Sequence, residues 1–122
     1  MKTIYFVEDD ESLQEIAELV FSEPDFALRI FGSAEALLDE SEYPHVYVLD
    51  KQLPGIDGLE LCRILKSNAR TKSIPIVMVS ADPDIKALAA SAGADAVLEK
   101  PFSIHELVNV VGGKSPDSMV IE

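Results

Sequence analysis

The chain has 122 residues, 48% of them hydrophobic and 26% charged, and its formal net charge is −12. This length and balance are typical of one globular domain that buries a core, and they exclude a disordered tail, a collagen-like chain and a disulfide scaffold. A surface this acidic repels phosphates and anionic lipid headgroups, so we expect no direct nucleic-acid partner and no membrane partner.

Short apolar runs rich in β-branched residues alternate along the chain with amphipathic helical segments. In chain order, the predicted elements are a strand at Thr3–Val7, a helix at Ser12–Ser22, a strand at Ala27–Phe31, a helix at Ala34–Glu40, a strand at Val46–Leu49, a turn-rich segment at Gln52–Gly58 followed by a helix, a strand at Ile74–Val79, a helix around Ile85–Ala92, a strand at Ala96–Leu98 and a helix at Ile104–Val111.

Residues that cap or break helices support these boundaries. Ser33 is predicted to be the N-cap of the second helix, and Gly93 is predicted to end the fourth. Asp10 and Glu11 are expected to stabilise the first turn of the first helix. The apolar residues of that helix recur at helical spacing: Leu13, Ile16, Ala17, Val20 and Phe21.

Strands that alternate with helices predict a parallel sheet, because each right-handed crossover returns the chain to the same end of the sheet. Strands that are apolar on both faces require helices on both sides. We therefore predict a three-layer, doubly wound α/β domain with a five-stranded parallel sheet over residues 1–113. Residues 114–122 are predicted to form a flexible tail.

The chain shows no targeting or crosslinking signal. Its longest apolar runs are far shorter than the ~20 residues of a membrane span, and acidic residues follow Val7 where a signal peptide would still be apolar. Cys62 is the single cysteine, which fits a reducing compartment and a small packed side chain. We expect a cytoplasmic protein.

Ligands of open parallel sheets bind outside the carboxyl ends of the strands. The residues that follow strands one, three, four and five include acids, a hydroxyl and a lysine: Glu8, Asp9, Asp10, Asp50, Ser80 and Lys100. Clustered carboxylates repel one another unless a cation or proton lies among them, and hard oxygen ligands suit Mg²⁺. A carboxylate beside such a metal can attack phosphorus, with Lys100 as a cation and Ser80 as a hydrogen-bond donor.

Four motifs in this order resemble the receiver domain of two-component response regulators, the CheY-like phosphoacceptor module. The motifs are Phe6–Asp10, Val48–Asp50 with Leu53-Pro54 and Asp57-Gly58, Val79–Ala81, and Lys100–Phe102. The resemblance spans about residues 3–111 and implies a (βα)5 fold of the flavodoxin-like, CheY-like type.

The resemblance also implies roles for individual residues. Asp50 would accept a phosphoryl group in a Mg²⁺-dependent transfer from the phosphohistidine of a sensor histidine kinase or histidine phosphotransfer protein. Ser80 would turn its hydroxyl toward that group, and Lys100 would pair with its oxygens. The implied Mg²⁺ ligands are Glu8, Asp9, Asp50 and the main-chain carbonyl of Gln52. The Lys100-Pro101 peptide is cis in that family.

In the family, phosphorylation alters binding to a downstream effector protein or output domain. Such a domain catalyses only its own phosphorylation and slow dephosphorylation, so we do not expect an enzyme that turns over a substrate. Val97 stands three residues before the lysine, where the family commonly has Tyr or Phe. We therefore expect signalling through the loop after strand four. Gln52 and Asp82 occupy positions that tune dephosphorylation in the family.

The sequence leaves three alternative functions open. A pseudo-receiver would dock without phosphorylation, although the set of site residues is intact. A haloacid-dehalogenase-type phosphatase also uses a strand-end Asp but expects a second acid where Gln52 stands. A flavodoxin-like FMN binder needs a Ser/Thr/Gly-rich loop after the first strand, where Glu8, Asp9 and Asp10 stand.

Overall fold

The computed structural model describes residues 1–112, and within them five strands alternate with five helices. The strands are β1 (Lys2–Val7), β2 (Phe26–Phe31), β3 (Val46–Asp50), β4 (Ile76–Ser80) and β5 (Ala96–Glu99). The helices are α1 (Glu11–Val20), α2 (Ala34–Leu38), α3 (Gly58–Ser67), α4 (Ile85–Ala92) and α5 (Ile104–Val111). The predicted tail, residues 114–122, lies outside the described residues.

The strands form one parallel sheet in the order β2-β1-β3-β4-β5. Val7 pairs with Leu49, and Ser80 pairs with Glu99, so the strands end at one edge of the sheet. The chain leaves β1 toward β2 on one side and later enters β3 on the other. This change of direction opens a crevice at the carboxyl edge between β1 and β3.

Successive residues of the central strands point to opposite faces of the sheet, and each face is covered. Tyr5 and Leu49 lie in a core with helices α2, α3 and α4. Phe6 and Val48 lie in a second core with α1 and α5. The predicted three-layer, doubly wound architecture is therefore confirmed.

The capping residues expected at three helices are present. Ser33 Oγ accepts a hydrogen bond from the Ala36 N–H at 3.1 Å and so caps α2. Gly93 ends α4 with a φ of 94°, which favours glycine because a Cβ is strained in the left-handed region. Asp10 caps α1 and accepts from the Ser12 N–H at 2.8 Å.

Several boundaries differ from the prediction. Strand β4 begins at Ile76 rather than Ile74, because Pro75 has no N–H for the ladder and the Ile74 N–H donates to the Thr71 carbonyl in a turn. Helix α2 ends at Leu38 rather than Glu40, whose carboxylate accepts from the next two backbone N–H groups. The ends of β4 and α2 therefore depend on local hydrogen bonds and on Pro75, which the spacing of apolar residues does not reveal.

Helix α1 is shorter than predicted and less completely buried. It ends at Val20 rather than Ser22, because Phe21 leaves helical geometry while its N–H still donates to the Ala17 carbonyl. Ile16, one of the regularly spaced apolar residues, is 39% exposed. Within residues 1–112, the length and apolarity needed to cross a membrane are not combined in any helix.

Candidate functional site

A cleft of about 910 Å³ opens at the carboxyl edge of the sheet, where the change of strand direction places it. The ends of β1, β3, β4 and β5 and the loops that follow them form its walls. Its lining residues are Glu8, Asp9, Asp10, Asp50, Gln52, Leu53, Pro54, Ser80, Ala81, Asp82, Pro83 and Lys100.

Three carboxylates converge in this cleft. One oxygen from each of Glu8, Asp9 and Asp50 lies within 4.8 Å of the others. Glu8 is 1% exposed and Asp50 is 5% exposed, whereas Asp9 is open to solvent. Oε1 of Glu8 is buried without a hydrogen-bond partner among residues 1–112. These carboxylate oxygens are therefore suitable ligands for a divalent cation such as Mg²⁺.

Glu8 is held where its charged form is disfavoured. Burial, followed by the nearby Asp50 carboxyl group, raises the pKa of Glu8 to about 8. The Asp10 N–H, 3.2 Å from Glu8 Oε2, and the Lys100 ammonium act in the opposite direction. A cation added to this cluster would therefore displace a proton from Glu8.

Lys100 supplies positive charge to the same cluster. Its Nζ lies 3.5 Å from Asp50 Oδ1 and 3.9 Å from Glu8 Oε1. The Lys100 N–H donates to the Ser80 carbonyl at 2.9 Å, which joins the end of β5 to the end of β4. The Lys100-Pro101 peptide is cis, as the resemblance implied.

Ser80 is buried at the end of β4, and its hydroxyl is bonded within its own loop. Ser80 Oγ accepts from the Asp82 N–H at 2.9 Å. Asp82 Oδ1 accepts from the Asp84 N–H at 2.8 Å, and Oδ2 lies 3.3 Å from Lys51 Nζ. The Asp84 N–H, and then Lys51, lower the pKa of Asp82.

The loop between β3 and α3 lies close against the end of β3. The Gly58 N–H donates to the Lys51 carbonyl at 2.8 Å, and a Cβ on Gly58 would collide with the Asp50 carbonyl oxygen. Asp57 Oδ1 caps α3 by accepting from the Glu60 N–H at 2.8 Å. These contacts explain the two residue types: Asp57 caps α3, and Gly58 has no Cβ that would collide with the Asp50 backbone.

The six residues predicted for the site all line the cleft: Glu8, Asp9, Asp50, Gln52, Ser80 and Lys100. Asp10 lies there too, with its side chain engaged in capping α1. Val97 is half-buried and packs against the core beneath α3 and α4. The sequence prediction missed Lys51, whose only signal was a charge placed directly after Asp50.

Comparison with known proteins gives a match that covers most of the chain. Residues 4–112 match the family model described as the response regulator receiver domain. The response regulator ArlR of Staphylococcus epidermidis is 33% identical over 129 aligned residues, which cover 100% of this chain and 58% of ArlR. The DNA-binding response regulator MtrA of Mycobacterium leprae is 36% identical over 109 aligned residues, which cover 86% of this chain and 47% of MtrA. The chain spans about half the length of these relatives.

Solved structures share the fold over nearly the whole chain. A Chloroflexus aurantiacus protein described as a response regulator has a TM-score of 0.85 and 36% identity, covering 92% of this chain and 95% of that one. The BeF3-activated DrrB receiver domain has a TM-score of 0.83 and 27% identity, and the match covers 93% of this chain and 96% of the DrrB domain. The Mn²⁺-bound response regulator Rcp1 has a TM-score of 0.78 and 25% identity, and the match covers 93% of this chain and 91% of Rcp1.

Proposed function

Because this chain belongs to the receiver-domain family of two-component response regulators, we propose that it is a Mg²⁺-dependent phosphorylation switch whose acceptor is Asp50. One observation carries most of the support. The nearly buried Asp50 carboxylate lies 3.5 Å from Lys100 Nζ and within 4.8 Å of carboxylate oxygens of Glu8 and Asp9. This arrangement combines a nucleophile, a cation and a metal-binding set in one cleft.

In the proposed reaction, a carboxylate oxygen of Asp50 forms a bond to phosphorus while the bond from phosphorus to a donor imidazole nitrogen breaks. The imidazole leaves with the bonding electron pair and takes up a proton from water. Lys100 is placed to pair with the phosphoryl oxygens, since it already lies beside Asp50 Oδ1. Ser80 would donate its hydroxyl to the same group after leaving its bond to the Asp82 N–H.

Glu8, Asp9 and Asp50, together with the main-chain carbonyl of Gln52, would hold the Mg²⁺. When bound, Mg²⁺ would neutralise the negative charge that develops on the transferred oxygens. The buried Oε1 of Glu8 and the convergence of three carboxylates support this assignment. The Mn²⁺-bound form of Rcp1, which shares the fold, is consistent with a divalent ion in such a domain.

The proposed partners are a phosphohistidine donor upstream, either a sensor histidine kinase or a histidine phosphotransfer protein, and an effector or output domain downstream. MtrA is named as DNA-binding, and this chain spans less than half of it. Our expectation that this chain does not itself contact nucleic acid comes from its net charge of −12 and stays a prediction. The expected cytoplasmic location also stays a prediction.

We further propose that the chain is not an enzyme acting on an external substrate. Gln52, two residues after Asp50, offers no carboxylate for the acid chemistry of a haloacid-dehalogenase-type phosphatase. The acidic residues Glu8, Asp9 and Asp10 line the cleft and would repel the phosphate of FMN. A pseudo-receiver remains the main alternative, and phosphorylation itself distinguishes it.

The proposal is tested by incubating the protein with acetyl phosphate and Mg²⁺ and measuring the intact mass. We expect wild type to gain one phosphoryl group, Asp50→Asn to gain none, and chelation of Mg²⁺ to prevent the gain. Asp25→Asn, an exposed carboxylate away from the cleft, is the matched control and should react like wild type.

Each other result would contradict a specific part of the proposal. A gain that survives in Asp50→Asn would place the acceptor elsewhere. No gain in wild type would favour the pseudo-receiver. Multiple turnover of a small phosphomonoester would favour the phosphatase.

A further inference from the structure

Lys51 and Asp82 connect two neighbouring loops that both contribute residues to the lining of the cleft. Lys51 begins the loop between β3 and α3, and Asp82 lies in the loop between β4 and α4. Lys51 Nζ is 3.3 Å from Asp82 Oδ2, and the two side chains are only 18% and 29% exposed. This ion pair is therefore partly shielded from water, and screening by salt reduces it less than it reduces a fully exposed pair.

The main chain on the Lys51 side of this pair is fixed. The Lys51 N–H donates to the Val79 carbonyl at 2.9 Å, and its carbonyl accepts from the Gly58 N–H at 2.8 Å. Lys51 is thus bonded on both sides of its Cα, so its side chain extends from a fixed point of the main chain directly after Asp50. Pairing with Asp82 therefore orders only the Lys51 side chain, and no further backbone entropy is lost.

On the other side, Asp82 is bonded to Ser80, whose hydroxyl turns toward the phosphoryl group in the proposed function. Its N–H donates to Ser80 Oγ at 2.9 Å, and its Oδ1 accepts from the Asp84 N–H at 2.8 Å. The loop conformation that pairs Asp82 with Lys51 is therefore the same conformation that engages the Ser80 hydroxyl. Ser80 Oγ is the acceptor in this bond, so rotation of that oxygen toward a phosphoryl group on Asp50 would draw it away from the Asp82 N–H.

We propose that the Lys51–Asp82 ion pair is a latch that holds the β4–α4 loop in the conformation in which Ser80 is bonded to its own loop. The latch sets how readily the cleft accepts a phosphoryl-like anion, because closing on that anion requires the loop to release Ser80. The inference rests on the proposed function of Asp50 as acceptor. In this role Lys51 and Asp82 are positioning residues, since they act through Ser80.

The direction in which anion affinity changes when Lys51 loses its charge distinguishes the latch from simple charge attraction. Removing the positive charge of Lys51 weakens the attraction of any anion to the cleft. If the pair is a latch, the same change favours the open loop and strengthens anion binding. The two explanations therefore predict opposite changes in affinity.

The test titrates the Mg²⁺-loaded protein with beryllium fluoride, a phosphoryl mimic, and follows backbone amide resonances by NMR. Lys51→Met keeps the apolar stem and removes the charge. We expect its half-saturating concentration to fall about twofold to fivefold, the population shift that loss of a partly exposed ion pair produces. Lys86→Met on α4 changes the net charge equally, and Lys86 makes no ion pair within residues 1–112. It should show no increase in affinity.

Two further variants test the pair itself. Lys51→Arg should behave like wild type, because it retains the positive charge that Asp82 contacts. Combining Lys51→Glu with Asp82→Lys should restore the wild-type affinity to within about twofold, while Lys51→Glu alone should bind beryllium fluoride more tightly than wild type. The amide spectra recorded in the same titration show whether each variant is folded.

The outcomes separate this inference from the function on which it rests. Wild type that binds beryllium fluoride, together with Lys51→Met that binds equally or more weakly, would overturn the latch and leave the Asp50 proposal standing. Wild type that neither binds the mimic nor becomes phosphorylated would overturn both. Tighter binding by Lys51→Met, reversed by the charge exchange, would support the latch.

Discussion

At the scale of single residues, Glu8 and Asp9 show how adjacent acids come to differ. Glu8 directly follows β1 and is buried next to Asp50, while Asp9 remains open to water. Burial and the neighbouring carboxyl group raise the pKa of Glu8 to about 8, well above its ordinary value of 4.5. The metal-free site thus favours a proton on Glu8.

The raised pKa of Glu8 predicts the pH dependence of stability. Between about pH 4.5 and about pH 8, the folded metal-free protein retains a proton that the unfolded chain releases, so the free energy of unfolding should fall as pH rises through this window. Glu8→Gln cannot ionise and should lose this dependence. Thermal unfolding in chelator should then give a Tm for Glu8→Gln at about pH 8 that exceeds wild type by at least ~4 °C.

The control for this prediction is Glu15→Gln, which replaces an exposed acid of α1. Its pH dependence should parallel that of wild type. Wild-type stability that rises across the same window would contradict the assignment of the buried, protonated carboxyl group to Glu8.

Gly58 is a second residue whose identity follows from a close contact. A Cβ at this position would overlap the Asp50 carbonyl oxygen, and the obstacle is backbone that cannot rotate away. We expect Gly58→Ala to lower the free energy of unfolding by about 1–3 kcal/mol, the range for overpacking. Urea denaturation measures this loss.

Gly32→Ala is the matched control for Gly58→Ala, because a Cβ on Gly32 would meet no atom within 4 Å. Its free energy of unfolding should be unchanged or higher by up to about 1 kcal/mol, since alanine restricts the unfolded chain. Equal losses in the two variants would show that the contact with Asp50 is unimportant.

At the scale of elements, the start of α5 is fixed by reciprocal bonds. Ser103 Oγ accepts from the Glu106 N–H at 3.0 Å, and Glu106 Oε1 accepts from the Ser103 N–H at 3.0 Å. This capping box lies three residues after Lys100 and directs α5 back over the sheet, where Leu107 is buried. The cap therefore stabilises the element that follows the cleft.

Removing this cap should have a measurable cost. We expect Ser103→Ala to lower the free energy of unfolding by about 1 kcal/mol, because the Glu106 N–H loses its acceptor. Chemical denaturation tests this, with Ser91→Ala, an exposed serine within α4, as the control. The control should change by less than about 0.5 kcal/mol. A Ser103→Ala effect no larger than that of the control would mean that the cap does not stabilise α5.

At the scale of the whole molecule, two apolar cores stabilise a domain whose net charge is −12. The sheet is covered on both faces, so all five strand ends are rigidly placed relative to one another. Three of the acids converge at one edge, where their repulsion opposes folding. A bound divalent cation would relieve that repulsion and stabilise the entire domain.

Mg²⁺ should therefore raise the Tm of wild type well beyond the effect of NaCl at equal ionic strength. At a concentration one hundred times the Kd, the expected stabilisation is about 2.7 kcal/mol. Differential scanning calorimetry measures it, and Asp9→Asn should lose most of the Mg²⁺ effect while keeping the response to NaCl. Equal shifts from the two salts would indicate general screening and would argue against a metal site formed by these carboxylates.

The sequence by itself determined the order of elements, and it identified polar residues at the strand ends that the structure brings to one cleft. Periodicity, helix caps and breaking residues act over a few neighbours, so the strand and helix positions follow from local sequence. Once the strands are parallel, their carboxyl ends share one edge, which places Asp9, Asp50 and Lys100 on the same side of the domain. The strand order then brings them together. The placement of the predicted residues around one cleft follows from this topology.

The tertiary structure alone decided which groups are buried and which are paired. Glu8 and Asp9 are both acids after the same strand, yet only their packing separates them into a buried and an exposed group. Ile16 fits the helical period of α1 but remains partly exposed, because the period indicates a face and not how far neighbours cover it. The pairing of Lys51 with Asp82 depends on the approach of two separate loops. Burial and pairing arise from elements distant in the chain, and local sequence patterns do not contain that information.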